Sequence, residues 1–135
     1  MVPQSGRTDI RVLVVDDEPG VRTLVANLLR GQGYSVAEAG GGQEALELAS
    51  HDASKLDLLL SDVSMPGVDG PTLAARLLDM KRVAKVLFIS GFSDAPVRRF
   101  RSEQVAFLAK PFRPTELLAA VRRLTERHAP VARIA

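Results

Sequence analysis

Five short runs of apolar and β-branched residues punctuate this chain, each giving way to turn-forming or polar residues before the next pattern begins. The runs are Ile10 to Val15, Tyr34 to Ala39, Asp57 to Ser61, Lys85 to Ile89 and Val105 to Ala109. Their length and composition predict strands, the most apolar of them buried on both faces. Helical patterns lie between them. Val21, Leu24, Val25, Leu28 and Leu29 recur at the spacing of an amphipathic stripe, and Gly31 and Gly33 stop it. Gln43 to Ser50 predicts a second helix with Ala45, Leu46 and Ala49 inward. Pro71 suits the first turn of a third, with Leu73, Leu77 and Leu78 inward. Asp94-Ala95-Pro96 opens a short, arginine-rich fourth. Pro114 opens the last, with Leu117, Leu118, Val121 and Leu124 on one face. Strand and helix alternating five times with short loops predicts an α/β fold. Right-handed crossovers restrict it to a parallel sheet between two helical layers.

A chain of 135 residues fits one such domain and can bury a sizeable core. With no cysteine, disulfides and thiolate metal sites are excluded. No apolar run approaches the roughly 18 residues of a membrane span, and the first residues lack the apolar core of a signal peptide, so a cytoplasmic location is expected. The net charge of +2 hides an asymmetry. Residues 1–80 hold 6 basic and 12 acidic residues, a balance of −6; residues 81–135 hold 12 and 4, a balance of +8. A basic half could suggest nucleic acid, but no recognition motif accompanies the charge, and no nucleic-acid partner is expected. Gly40-Gly41-Gly42 could pass for a phosphate cradle, yet no Lys-Ser/Thr follows as a P-loop would need, so a tight strand-to-helix turn is the reading.

The functional signal lies where the strands end. The first ends in Asp16 and Asp17, the third in Asp62, the fourth in Ser90-Gly91 and the fifth in Lys110. Open α/β sheets bind their ligands at the carboxyl ends of strands, all of which open on one edge. Taken singly, each residue has a plainer explanation. Asp16 or Asp17 could cap a helix, Asp62 could form a turn, Ser90-Gly91 is a common loop pair, and Lys110 could be a solvated lysine. Jointly, three carboxylates, a hydroxyl and an ammonium converge from positions up to 110 − 16 = 94 residues apart. Crowded acids repel unless a cation sits among them. Hard oxygen ligands favour Mg2+, and no histidine lies near a strand end to favour zinc. With a metal bound, one carboxylate can attack phosphorus and form an aspartyl phosphate, while a lysine and a hydroxyl hold the other oxygens.

The segments Val14-Val15-Asp16-Asp17-Glu18, Ser61-Asp62-Val63-Ser64-Met65-Pro66-Gly67-Val68-Asp69-Gly70, Ile89-Ser90-Gly91 and Ala109-Lys110-Pro111-Phe112 resemble those of response-regulator receiver domains of two-component signal transduction. Both chemotaxis-type single-domain receivers and hybrid-kinase receivers are similar. The resemblance implies a flavodoxin-like (βα)5 three-layer sandwich with strand order 2-1-3-4-5, covering residues 9–127 between a disordered lead-in, 1–8, and a tail, 128–135. It implies that Asp62 accepts a phosphoryl group from a phosphohistidine on a histidine kinase or histidine phosphotransfer domain. Asp17, Asp62 and the main-chain carbonyl of Ser64 would bind Mg2+, with Asp16 acting through water. Ser90, Gly91 and Lys110 would contact phosphoryl oxygens. Ser90 and Phe107 would form the switch, reporting to an unknown output protein. Ser90 stands where threonine is frequent, and Phe107 has no phenol hydroxyl, so its inward state rests on packing alone. By the same resemblance, Phe92 and Ser64 would flank the path of hydrolytic water, and Phe92 would shield the acyl phosphate.

Three competing functions remain at this point. A Mg2+-dependent phosphohydrolase would carry Asp-x-Asp at its nucleophile and a cap insertion; neither is present. A pseudo-receiver would lack part of the set Asp16, Asp17, Asp62, Ser90 and Lys110, all of which are present. A terminal receiver of a hybrid histidine kinase is the alternative to a stand-alone regulator. The initial Met1 and the irregular lead-in tilt the expectation slightly to the stand-alone form.

Overall fold

The computed structural model describes residues 10–51, 55–91 and 103–126. In chain order the elements are β1 (Arg11–Val15), α1 (Pro19–Arg30), β2 (Ser35–Ala39), α2 (Gly42–His51), β3 (Leu56–Asp62), α3 (Gly70–Asp79), β4 (Val83–Ser90), β5 (Val105–Ala109) and α4 (Pro114–Thr125). The expected fourth helix and Phe92 lie outside the described residues, as do the lead-in and the tail.

The strands pair in parallel in the order β2-β1-β3-β4-β5, the flavodoxin-like order that the resemblance implied. Alternation of side chains along each strand divides the interior in two. Leu13, Leu59, Val86 and Phe88 meet Ala45 of α2 and Leu73 and Leu77 of α3 on one face. Val12, Leu58, Leu60 and Leu87 meet Val25 and Leu29 of α1 and Leu117 and Val121 of α4 on the other. That two-sided burial explains why β3 is a run of leucines rather than an alternation. Leu58 and Leu59 are completely buried, and each such side chain contributes about 1.5–3 kcal/mol by leaving water.

Several expected details shift. Leu24 belongs to the apolar stripe by spacing, yet it is 58% exposed. The buried face of α1 is Val25, Ala26 and Leu29, so the helix is rotated toward Ala26, whose small side chain is fully enclosed. Leu46, Leu78, Leu118 and Leu124 are half-buried margins rather than core. Tyr34 precedes β2 instead of opening it, but it is buried. Gly31 and Gly33 divide the work of ending α1. Gly31 stays right-handed and bonds Asn27, whereas Gly33 takes φ 95°, the left-handed turn a glycine adopts without strain. β3 and β4 run longer than expected, so Asp62 and Ser90 are the last residues of their strands.

Candidate functional site

Register brings the site together. Val15 lies beside Ser61, Asp62 beside Ile89, and Ser90 beside Ala109. The carboxyl ends of β1, β3, β4 and β5 therefore share one edge.

Asp16 continues β1 by one residue, its N–H donating to the Ala39 carbonyl at 3.2 Å. Its side chain turns back, and Oδ1 accepts the Glu18 N–H at 2.9 Å. This is the local turn that short acidic side chains favour. The helix-capping alternative thus resolves in an unexpected way: Glu18 is the N-cap residue of α1 and makes no side-chain cap bond, with Pro19 following. Asp16 is buried at 5% exposure, whereas Asp17 is exposed.

Asp62 is 8% exposed. Lys110 Nζ spans its carboxylate, 3.2 Å from Oδ1 and 3.3 Å from Oδ2. Lys110 also donates its main-chain N–H to the Ser90 carbonyl at 2.9 Å, and the following bond to Pro111 is cis. One residue thereby ties β4, β5 and the acid on β3. Carboxylate oxygens of Asp16, Asp17 and Asp62 all lie within 4.8 Å of one another.

Burial chiefly pushes the Asp62 carboxyl above its ordinary range; Lys110 opposes the rise, and Asp17 adds to it. Asp16 is raised too, first by burial and further by Asp62 and Asp17, against the Glu18 N–H and Lys110. A group of hard oxygen donors held where their charge is disfavoured suits a small divalent cation, and the residues present fit such an ion.

The other expected residues take more separate places. Ser90 and Gly91 are half-exposed at the end of β4, and Ser64 is exposed in the loop after Asp62. Phe107 is half-buried against the α2–α3 side of the core. Its ring stacks on Phe88, with centroids 5.4 Å apart and planes 28° apart. Phe88 was not singled out from sequence, because only the β4–β5 register sets it opposite Phe107.

Gly70 is a second addition. A Cβ there would collide with the Asp62 carbonyl oxygen and lie 3.0 Å from Val63 Cα. Its N–H bonds the Val63 carbonyl at 2.9 Å, and Asp69 caps α3 by accepting the Thr72 N–H at 2.9 Å. The glycine lets the loop close tightly behind the acid. A cavity of about 320 Å³ opens elsewhere, lined by Arg11, Leu13, Leu48, Leu56 and Arg82 at the opposite edge of the sheet; no residue of the acid cluster lines it.

Comparison with known proteins fits this arrangement. Residues 12–122 match the family model of the response regulator receiver domain. The chain belongs to that family. This receiver is 38% identical over 118 residues to the sensor kinase CckA of Brucella abortus, covering 86% of this chain and 12% of that protein. It is 40% identical over 114 residues to the transcriptional regulatory protein PdtaR of Mycobacterium tuberculosis, covering 82% and 54% respectively. It thus spans about half or less of these relatives. Among solved structures it superposes on the receiver domain of the hybrid histidine kinase CckA with a TM-score of 0.73 at 40% identity, over 86% of this chain and 99% of that one. It superposes on the response regulator TrrA from Thermotoga maritima, in complex with Mg(2+)-BeF, with a TM-score of 0.71 at 30% identity, over 85% and 98%. The family is one of signalling switches rather than turnover catalysts. Among the described residues no helix is long and apolar enough to cross a membrane.

Proposed function

We propose that this receiver accepts a phosphoryl group on Asp62 from a phosphohistidine of a histidine kinase or phosphotransfer domain, and that Mg2+ is the cation of its acid cluster. The observation that carries the reading is the Asp62 carboxylate, spanned by Lys110 and crowded by Asp16 and Asp17. Asp62 and Asp17 would bind the ion directly with the Ser64 carbonyl, and Asp16 would act through water. The ion would offset charge on the transferring group and on the acids around it. The complex of the similar TrrA with Mg(2+)-BeF supports that choice of metal.

An Asp62 carboxylate oxygen attacks phosphorus, a P–O bond forms, and the P–N bond breaks with its electron pair returning to the imidazole nitrogen. Lys110, already beside both Asp62 oxygens, follows the charge onto the phosphoryl oxygens; Ser90 and Gly91 line the same edge. The pull on Ser90 and the packing of Phe107 then distinguish the charged state from the uncharged one for an output partner.

Incubation with Mg2+ and acetyl phosphate tests the reading. A stoichiometric, hydroxylamine-labile label is expected, absent in Asp62→Asn. Continuous phosphate release without a stable label would point to a hydrolase instead, and no label at all would point to a phosphorylation-independent domain.

A further inference from the structure

The carbonyl of Asp16 is held by a side chain from the next helix. Arg22, in the first turns of α1, donates from Nη1 to that oxygen at 2.9 Å. The same guanidinium places Nε 3.5 Å from Glu38 Oε1 on edge strand β2. Glu38 in turn holds Arg30 at 2.9 Å through its other oxygen. Arg30 also donates to the Val36 carbonyl at 3.1 Å. The chain of bonds therefore runs from the edge strand, through two arginines and one glutamate, to the main chain between the two acids of the β1–α1 turn. The Gly40 side of this network is tight: a Cβ there would stand 3.0 Å from Arg22 Nη1.

From this geometry we infer that Arg22, anchored by Glu38, is a positioning residue that fixes the Asp16–Asp17 turn and so sets the affinity of the acid cluster for a divalent cation. The inference rests on the reading of that cluster as a Mg2+ site. Arg22 itself touches neither metal nor phosphoryl group. Its guanidinium acts through the Asp16 carbonyl, restricting the peptide that carries Asp17. Residues that orient metal ligands from behind commonly change affinity about 10–100-fold when removed.

Electrostatics and positioning predict opposite signs here. Deleting a positive charge near the acids would by Coulomb attraction alone tighten Mg2+ binding. Loss of positioning weakens it. The sign of the change thus separates the two effects, and a change of fold stability alone would leave the intrinsic affinity unmoved.

The experiment is calorimetric titration of the full chain with MgCl2, for wild type, Arg22→Met, Gly40→Ala and Arg30→Met, each first checked for a folded circular-dichroism spectrum. Arg22→Met is expected to bind about 10-fold more weakly. Gly40→Ala, which crowds Arg22 without altering any charge, is expected to weaken binding in the same direction by a smaller factor. Arg30→Met, which removes a like charge but no bond to Asp16, is expected to change it less than Arg22→Met. Unchanged or tighter binding by folded Arg22→Met overturns the inference while leaving the metal site intact. If Arg22→Met does not fold, Gly40→Ala decides by the same criterion. Absence of saturable Mg2+ binding by wild type overturns the metal site itself, and the inference with it.

Discussion

Asp16→Asn is expected to make the metal-free receiver more stable at neutral pH. Asparagine keeps the Oδ1 acceptor that holds the Glu18 N–H at 2.9 Å, so the turn survives while the charge goes. The carboxylate oxygens of the three acids lie within 4.8 Å of one another, and two like charges at that outer limit repel by about 3.5 kcal/mol at an effective dielectric of roughly 20. Neutralising Asp16 relieves two such repulsions, about 7 kcal/mol in gross terms. Most of that is offset, because Asp17 is exposed and screened by water and salt, and the attraction of Asp16 to Lys110 is lost as well. A net gain of about 1–3 kcal/mol remains, or about 3–10 °C in Tm for a domain of this size. The pH dependence follows from the sign of the shift. Burial, with Asp62 and Asp17, raises Asp16 above its ordinary 3.8. Folding therefore favours the protonated acid, and the penalty is full above the folded value and fades as pH falls toward 3.8. The variant's advantage should shrink along the same course. Mg2+ should raise the Tm of wild type more than that of the variant, since a ligand stabilises according to its affinity for the folded state. Thermal melts at pH 7 and pH 4.5, with chelator or with excess MgCl2, provide the assay. A variant that melts below wild type in chelator at pH 7 would refute the electrostatic argument.

Gly70→Ala is expected to cost about 1–3 kcal/mol in urea unfolding by forcing a methyl against the Asp62 carbonyl, and to slow phosphorylation of Asp62; an unchanged midpoint and rate would show that the loop yields easily. Phe88→Ala should cost about 3–5 kcal/mol, because the ring is wholly buried and stacked on Phe107, with Phe88→Leu recovering most of it. A loss below about 1 kcal/mol in the alanine variant would mean that the core collapses around the gap.

The central strands and the converging strand ends were legible in sequence because both depend on local patterns. An apolar run stops at an acid, and parallel topology does the rest. The features that were missed depend on register or on rotation. Phe88 gains its partner only when β4 and β5 align. Leu24 follows the helical period but faces water because α1 turns its Ala26 side inward. Arg22 and Glu38 read as ordinary charges on a helix and an edge strand, 16 residues apart (38 − 22), and nothing in their spacing announces a shared task. Asp57 likewise looked like the opening of a strand, yet its carboxylate accepts the Arg11 N–H at 2.8 Å.

The strand order has one more consequence. The acids rise from β1 and β3, each hydrogen-bonded on both sides, whereas Lys110 follows β5, which among the described residues is an edge strand paired with β4 alone. The cluster is thus split by stiffness. Its anionic half belongs to the centre of the sheet, while its cation rides on an edge strand able to move without unzipping that centre. A phosphoryl group arriving on Asp62 would pull against a fixed post on one side and a hinged one on the other, so the displacement it causes would be channelled toward the β4–β5 margin.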